Sequence, residues 1–112
     1  MAYDEGLAER LREMMAERYH VSERKMFGGL AFMVDGHMFV GIVGDTLMVR
    51  VGPAAYQAAL QRPHVREMDF TGKPMRGYVF VDSGGLKGAR ALIFWLELCA
   101  SFVRTLPPKP KR

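Results

Sequence analysis

At 112 residues, 49% hydrophobic and 25% charged, the chain is one domain in size, too apolar for a disordered segment and able to close a core without covalent staples. Its one cysteine, Cys99, excludes an intrachain disulfide framework and leaves too few thiols for a structural zinc site. The formal net charge is +4 and the isoelectric point about 9.5, but Lys109, Lys111 and Arg112 supply three of the positive charges. The body is then only weakly basic, and charge alone is poor evidence for a nucleic-acid partner.

The start, Met1-Ala2-Tyr3-Asp4-Glu5, is acidic and lacks the basic-then-apolar layout of a secretory leader. The longest apolar stretch, Ala91 to Val103, is broken by Glu97 and too short to span a bilayer. A cytoplasmic protein with no membrane partner is expected. From about Asp4 to Arg18, Leu7, Leu11, Met14 and Met15 recur at helical spacing among Glu and Arg, which predicts an amphipathic helix. Tyr19-His20-Val21-Ser22 ends it.

Leu30–Val34, His37–Val43 and Thr46–Val51 then read as strands separated by Asp35-Gly36 and Gly44-Asp45. Both dipeptides suit two-residue hairpin loops, so an antiparallel meander follows. Such loops place Val34 opposite His37 and Val43 opposite Thr46. One face then collects Ala31, Met33, Met38, Val40, Ile42, Leu47, Val49 and Val51 and is expected to pack on the helices. The other collects Leu30, Phe32, Phe39, Gly41, Met48 and Arg50, unusually apolar for a solvated face.

Pro53 suits the first position of a short helix that runs through Ala54, Ala55, Ala58 and Leu60 and ends by Pro63. Val65–Phe70 and Gly77–Val81 are two more expected strands, joined by residues 71–76. Asp82-Ser83 is placed to cap a long helix from about Gly85 to Arg104, and Pro107, Pro108 and Pro110 then impose an extended basic tail. That helix carries two apolar stripes: Leu86, Ala89, Ile93, Leu96, Ala100 and Val103 on one side, and Ala91, Trp95, Leu98 and Phe102 on another, with Phe94 between. A helix apolar on most sides needs cover on most sides, from the other helices or from a partner.

This order of elements, with Arg24-Lys25-Met26-Phe27-Gly28-Gly29, the Asp35-Gly36-His37-Met38 turn, Leu47-Met48-Val49-Arg50 and Thr71-Gly72-Lys73-Pro74-Met75, resembles the N-terminal domain of the TfoX/Sxy family of bacterial competence regulators over about residues 5 to 106. The resemblance implies a two-layer α+β fold, α-β(3)-α-β(2)-α, around a five-stranded antiparallel sheet. It also implies a coactivator-like role in transcription through protein contacts rather than catalysis. The full-length regulators add a helical second domain; this sequence reads as a stand-alone member, with a domain over 1–106 and a Pro/basic tail over 107–112.

The candidate sites are weighed against plainer roles. Gly28-Gly29, beside Arg24 and Lys25, reads as a backbone pivot rather than an anion-binding turn, and Asp35-Gly36 as a structural turn. Ser83-Gly84-Gly85-Leu86-Lys87-Gly88 fits no phosphate-loop pattern and reads as helix capping. His20, His37 and His64 are separate, expected on surfaces or turns, with no metal-ligand spacing. Cys99 reads as a small core residue, and Glu67 and Asp69 lack a catalytic companion. No catalytic residue, metal or cofactor is expected. The expected interaction residues are Leu30, Phe32, Phe39 and Met48 on the sheet with Trp95, Leu98 and Phe102 on the last helix, engaging a second copy of the chain or a regulatory protein. The alternative is weak nucleic-acid binding through Arg24, Lys25, Arg50, Lys73 and Arg76 near one end of the sheet, with strong salt dependence.

Overall fold

Residues 3–16, 18–26, 28–34, 36–68 and 75–106 are described by the computed structural model, with Met26 as backbone only. Phe27, Asp35, Asp69, Phe70, Lys73 and the 107–112 tail lie outside the described residues. Helix α1 (Glu5–Ala16) begins where the Asp4 carboxylate accepts the backbone N–H groups of Gly6 and Leu7 at 2.8 and 3.2 Å. Its buried stripe is Leu7, Ala8, Leu11 and Met15. The chain then forms β1 (Val21–Met26), β2 (Gly29–Val34), β3 (His37–Val43), β4 (Thr46–Arg50), α2 (Tyr56–Leu60), β5 (Val65–Glu67), β6 (Tyr78–Val81) and α3 (Ala89–Val103), with a 3-10 turn at Ser83–Gly85. All six strands join one antiparallel sheet in the order β1-β2-β3-β4-β6-β5.

The α+β class and the two hairpin registers match expectation: Val34 pairs with His37 and Val43 with Thr46, across loops in which Gly36 and Gly44 adopt φ of +81° and +60°. The strand count does not, since the described residues form six strands rather than five. The additional one, Val-Ser-Glu-Arg-Lys-Met, follows α1 and forms the polar outer edge beside β2. Charged side chains are what keep an edge strand from pairing with another chain.

The assignment of faces is also corrected. Met33 pairs with Met38 but Phe32 pairs with Val40, so Phe39 is an extra residue in β3, a β-bulge. Beyond it the register shifts by one, and a one-residue shift exchanges the two faces of β2. Leu30 and Phe32 thus join Val40, Ile42, Leu47 and Val49 in the main core, while Ala31, Met33 and Met38 turn to the opposite side. Phe39 is buried in the main core too, its ring 4.9 Å from that of Tyr19 and its carbonyl accepting the Cys99 thiol at 2.7 Å.

Helix α3 lies over β3 and β4, and α2 over β5 and β6. α1 is tied to β1 by Arg12, whose Nε is 2.7 Å from a Glu23 carboxylate oxygen. The opposite face keeps Met48 of the residues expected there, while Leu30, Phe32 and Phe39 have moved to the main core. Met48, Met68 and Phe80 form a second buried cluster with Met38 and Tyr78 packed against it. Met75 is the one large apolar side chain that stands exposed among the described residues. His37, expected on a surface or turn, directly follows the Gly36 turn but is buried, paired with Val34.

Candidate interaction surface

The sequence of α3, Ala-Arg-Ala-Leu-Ile-Phe-Trp-Leu-Glu-Leu-Cys-Ala-Ser-Phe-Val, buries Leu92, Trp95, Leu96, Cys99, Ala100 and Val103 at helical spacing against the sheet. Flanking that stripe, Phe94, Leu98 and Phe102 are half-buried. The helix starts at Ala89 rather than Gly85, and its N-cap is Gly88 at φ +81°, with no side-chain cap. Asp82 instead begins the 3-10 turn without a side-chain cap, its carboxylate accepting Arg66 Nε at 3.1 Å.

The segment from Gly52 to His64 runs back alongside α3. At one end Gly52, φ +85°, lies so close to the Phe102 ring that a Cβ there would overlap it. At the other end the Arg62 guanidinium carbon sits 3.9 Å from the Phe94 ring centroid and 5.8 Å from that of Trp95. The Phe94 and Trp95 rings meet edge-on at 5.0 Å. Between these ends α2 closes the seam.

Two clefts mark the seam. The first, about 320 Å³, has Arg62, Pro63, His64, Arg90, Phe94 and Trp95 in its wall. The second, about 240 Å³, is apolar and formed by Val51, Ala54, Ala55, Leu98, Phe102 and neighbours. His64 carries φ +67°, the one positive value outside glycine among the described residues. Its carbonyl accepts the Asp82 N–H at 2.8 Å. Its ring lies against Gly84, where a Cβ would come within 2.7 Å of it. The glycines of the 82–88 segment thus leave room for a side chain at the mouth of the cleft.

Of the seven expected interaction residues, Leu30, Phe32 and Phe39 belong to the helix-covered core, Met48 to the second cluster, and Trp95 is 3% exposed. Leu98 and Phe102 alone reach the surface, together and beside the second cleft. The expected basic set is divided. Arg24 and Lys25 are exposed on edge strand β1. Arg50 is at the far end of β4, its guanidinium carbon 5.7 Å from the Tyr78 ring centroid and 5.5 Å from that of Phe102. Arg76 is exposed just before β6, and Lys73 lies outside the described residues. β2 and β3 separate the two groups. Gly28 has φ +74°, and at Gly29 a Cβ would overlap the Ile42 carbonyl.

Sequence reasoning missed Arg62, His64, Arg90 and Phe94 as neighbours. Arg62 and Phe94 belong to different elements, and only the fold joins them. Arg90 did carry a signal, since a cation in the first turn of a helix opposes the helix dipole. Cys99 is the buried core residue expected, and burial pushes its thiol up to about 12. Among the described residues no three His, Cys, Asp or Glu side chains gather as metal ligands, and no helix is long and apolar enough to cross a membrane.

The model of the TfoX N-terminal domain family matches residues 13–103, so the chain belongs to that family. No curated protein and no solved structure matches it.

Proposed function

We propose that this member of the TfoX N-terminal domain family is a non-catalytic, competence-regulator-like module that receives a regulatory protein on the seam between α2 and α3. The observation that carries the reading is the row of half-buried Phe94, Leu98 and Phe102 on α3, with Phe94 in the wall of the first cleft and Leu98 and Phe102 in that of the second. Aromatic side chains beside Arg are the residue types that dominate binding energy at protein interfaces. The opposite sheet face supports the reading by contrast, because its apolar side chains are already buried in a cluster of the chain's own residues. The division of Arg24 and Lys25 from Arg50 and Arg76 weighs against a nucleic-acid track, which needs several cations on one surface.

Trp95 is unsuited to a test, since a charge placed there would enter the core. A photo-crosslinking residue at Leu98, compared with one at Ser22 on the outer edge of the sheet, separates the alternatives. Cross-linking in host extract to one regulatory protein from position 98, absent from position 22 and reduced by Phe94→Ser, is the expected outcome. Capture of that protein from position 22 alone would overturn the reading.

A further inference from the structure

Resting on that reading, we infer that the occupant of the seam is an acidic amphipathic segment of the partner protein, with carboxylates at the first cleft and apolar side chains at the second. The charges at the first cleft are one-sided. Arg62 and Arg90 line it beside the His64 ring, no carboxylate among the described residues lines either cleft, and Lys87 is exposed just before α3. The first turn of α3 holds no acidic residue but does hold Arg90, so the cations add to the positive end of the helix dipole. Arg90 makes no ion pair among the described residues that would offset that placement, and local rules are broken most often where a site needs it.

Arg62 is also held in place. Its guanidinium lies on Phe94 at 3.9 Å, and it makes no ion pair among the described residues. A guanidinium fixed by a ring beneath it keeps its N–H edge free for a carboxylate and loses less conformational freedom on binding.

The second cleft fixes the rest of the chemistry. Phe94 and Phe102 are eight residues apart on one helix, about 12 Å along its axis. A small anion reaches the cationic end only. A nucleic acid meets the cations but offers little to a cleft of Val51, Ala54, Ala55, Leu98 and Phe102. A peptide with acidic and apolar side chains on one face satisfies both ends.

The test is fluorescence anisotropy on the full chain with a labelled 15-residue peptide of Glu and Leu, the Leu at helical spacing. A Lys–Leu peptide of the same pattern, a 15-nucleotide single-stranded DNA and inorganic phosphate serve as comparisons. The Glu–Leu peptide is expected to bind and the Lys–Leu peptide not to. Arg62→Glu and Arg90→Glu are each expected to weaken binding about tenfold or more, Leu98→Ser to weaken it as well, and the Arg double variant to bind the Lys–Leu peptide instead. Both arginines are exposed, and a thermal melt of each variant checks that the fold is kept. Equal binding of both peptides, displacement by DNA or phosphate, affinity indifferent to the Arg changes, or seam-mediated association of the chain with itself would each overturn the inference. The two proposals fail differently. A partner cross-linked at position 98 through a basic or uncharged segment overturns this inference and leaves the interaction reading standing, whereas capture from position 22 alone overturns both.

Discussion

The two faces of the sheet are built from similar side chains and used differently. On the helix side, Phe32, Val40, Ile42, Leu47, Val49 and Val79 are fully buried beneath α1 and α3, in a core dominated by branched and aromatic residues. On the other side, Met48, Met68 and Phe80 are buried, with Met38 and Tyr78 half-covered and Arg66 stacked 4.8 Å from the Phe80 ring centroid. Unbranched methionines adapt their shape and suit a small cluster of this kind. An apolar sheet face is therefore not by itself an unfilled interface. At the α2–α3 seam, by contrast, half-buried flanking side chains of a helix already packed on one face meet a short connector.

The sharpest way to break this comparison is to remove one large side chain from each face. Phe32→Ala empties a site with 0% exposure and is expected to cost about 3–5 kcal/mol in urea unfolding. Met38→Ala, on the half-covered face, is expected to cost about 1 kcal/mol. Equal losses would mean that the two faces are one core, and the distinction drawn here would fall.

The bulge explains why the sequence was legible in one respect and misleading in another. Asp35-Gly36 and Gly44-Asp45 announce their turns, and the pairings next to them, Val34 with His37 and Val43 with Thr46, could be read directly. Nothing in His-Met-Phe-Val-Gly-Ile-Val marks Phe39 as the extra residue. Every residue in that run is compatible with either side, and the choice is made by packing against Tyr19 and Cys99 from elsewhere in the chain. Strand β1 was missed because Ser22, Glu23, Arg24 and Lys25 give no alternation of apolar and polar residues. Two residues of the seam, Leu98 and Phe102, were visible as a second helical stripe. Arg62 and Phe94 were not paired, since their contact requires the connector to fold back on α3.

The next largest effect tests the pivot that launches β2. Gly29→Ala drives a Cβ into the Ile42 carbonyl within the β2–β3 ladder and is expected to cost about 2–3 kcal/mol. At Gly28 nothing lies within 4 Å, and the requirement is φ +74° alone. Gly28→Ala should then cost about 1 kcal/mol and Gly28→Asn less, by the same unfolding measurement. If Gly28 proved the more sensitive, conformation rather than close approach would set the register of the two faces.

Cys99 anchors the bulge from the helix side, and alkaline pH provides a graded way to loosen it. Its thiol is pushed from about 9 in the unfolded chain to about 12 by burial. A raised acid favours the folded state while the thiol stays protonated, fully so below 9, and that stabilisation is lost as pH rises toward 12. Relative to a Cys99→Ala variant, the wild type is expected to lose about 1 kcal/mol over the first unit above pH 9. Iodoacetamide should label Cys99 only after unfolding. Labelling of the native chain at pH 8 would show the bulge region opening to solvent.

The smallest effect separates the two sides of a single strand. In β1, Glu23 pairs across from Phe32 and meets Arg12 of α1, while Arg24 pairs across from Ala31 and points to the methionine side. The hydrogen bonds from Arg12 hold the Glu23 carboxyl below its ordinary value of 4.5. A depressed acid stabilises the fold above the unfolded value and loses that contribution as pH falls through the folded one. Both partners are about a third exposed, so Glu23→Gln is expected to cost less than about 1 kcal/mol at neutral pH, less again in high salt, and nothing once pH is well below 4. Arg24 has no such partner among the described residues, and Arg24→Gln should leave the unfolding curve unchanged across that range. If instead Arg24→Gln shifts with pH and Glu23→Gln does not, the strand has been placed with its faces exchanged, and the helix-covered and methionine sides would exchange with it at β1.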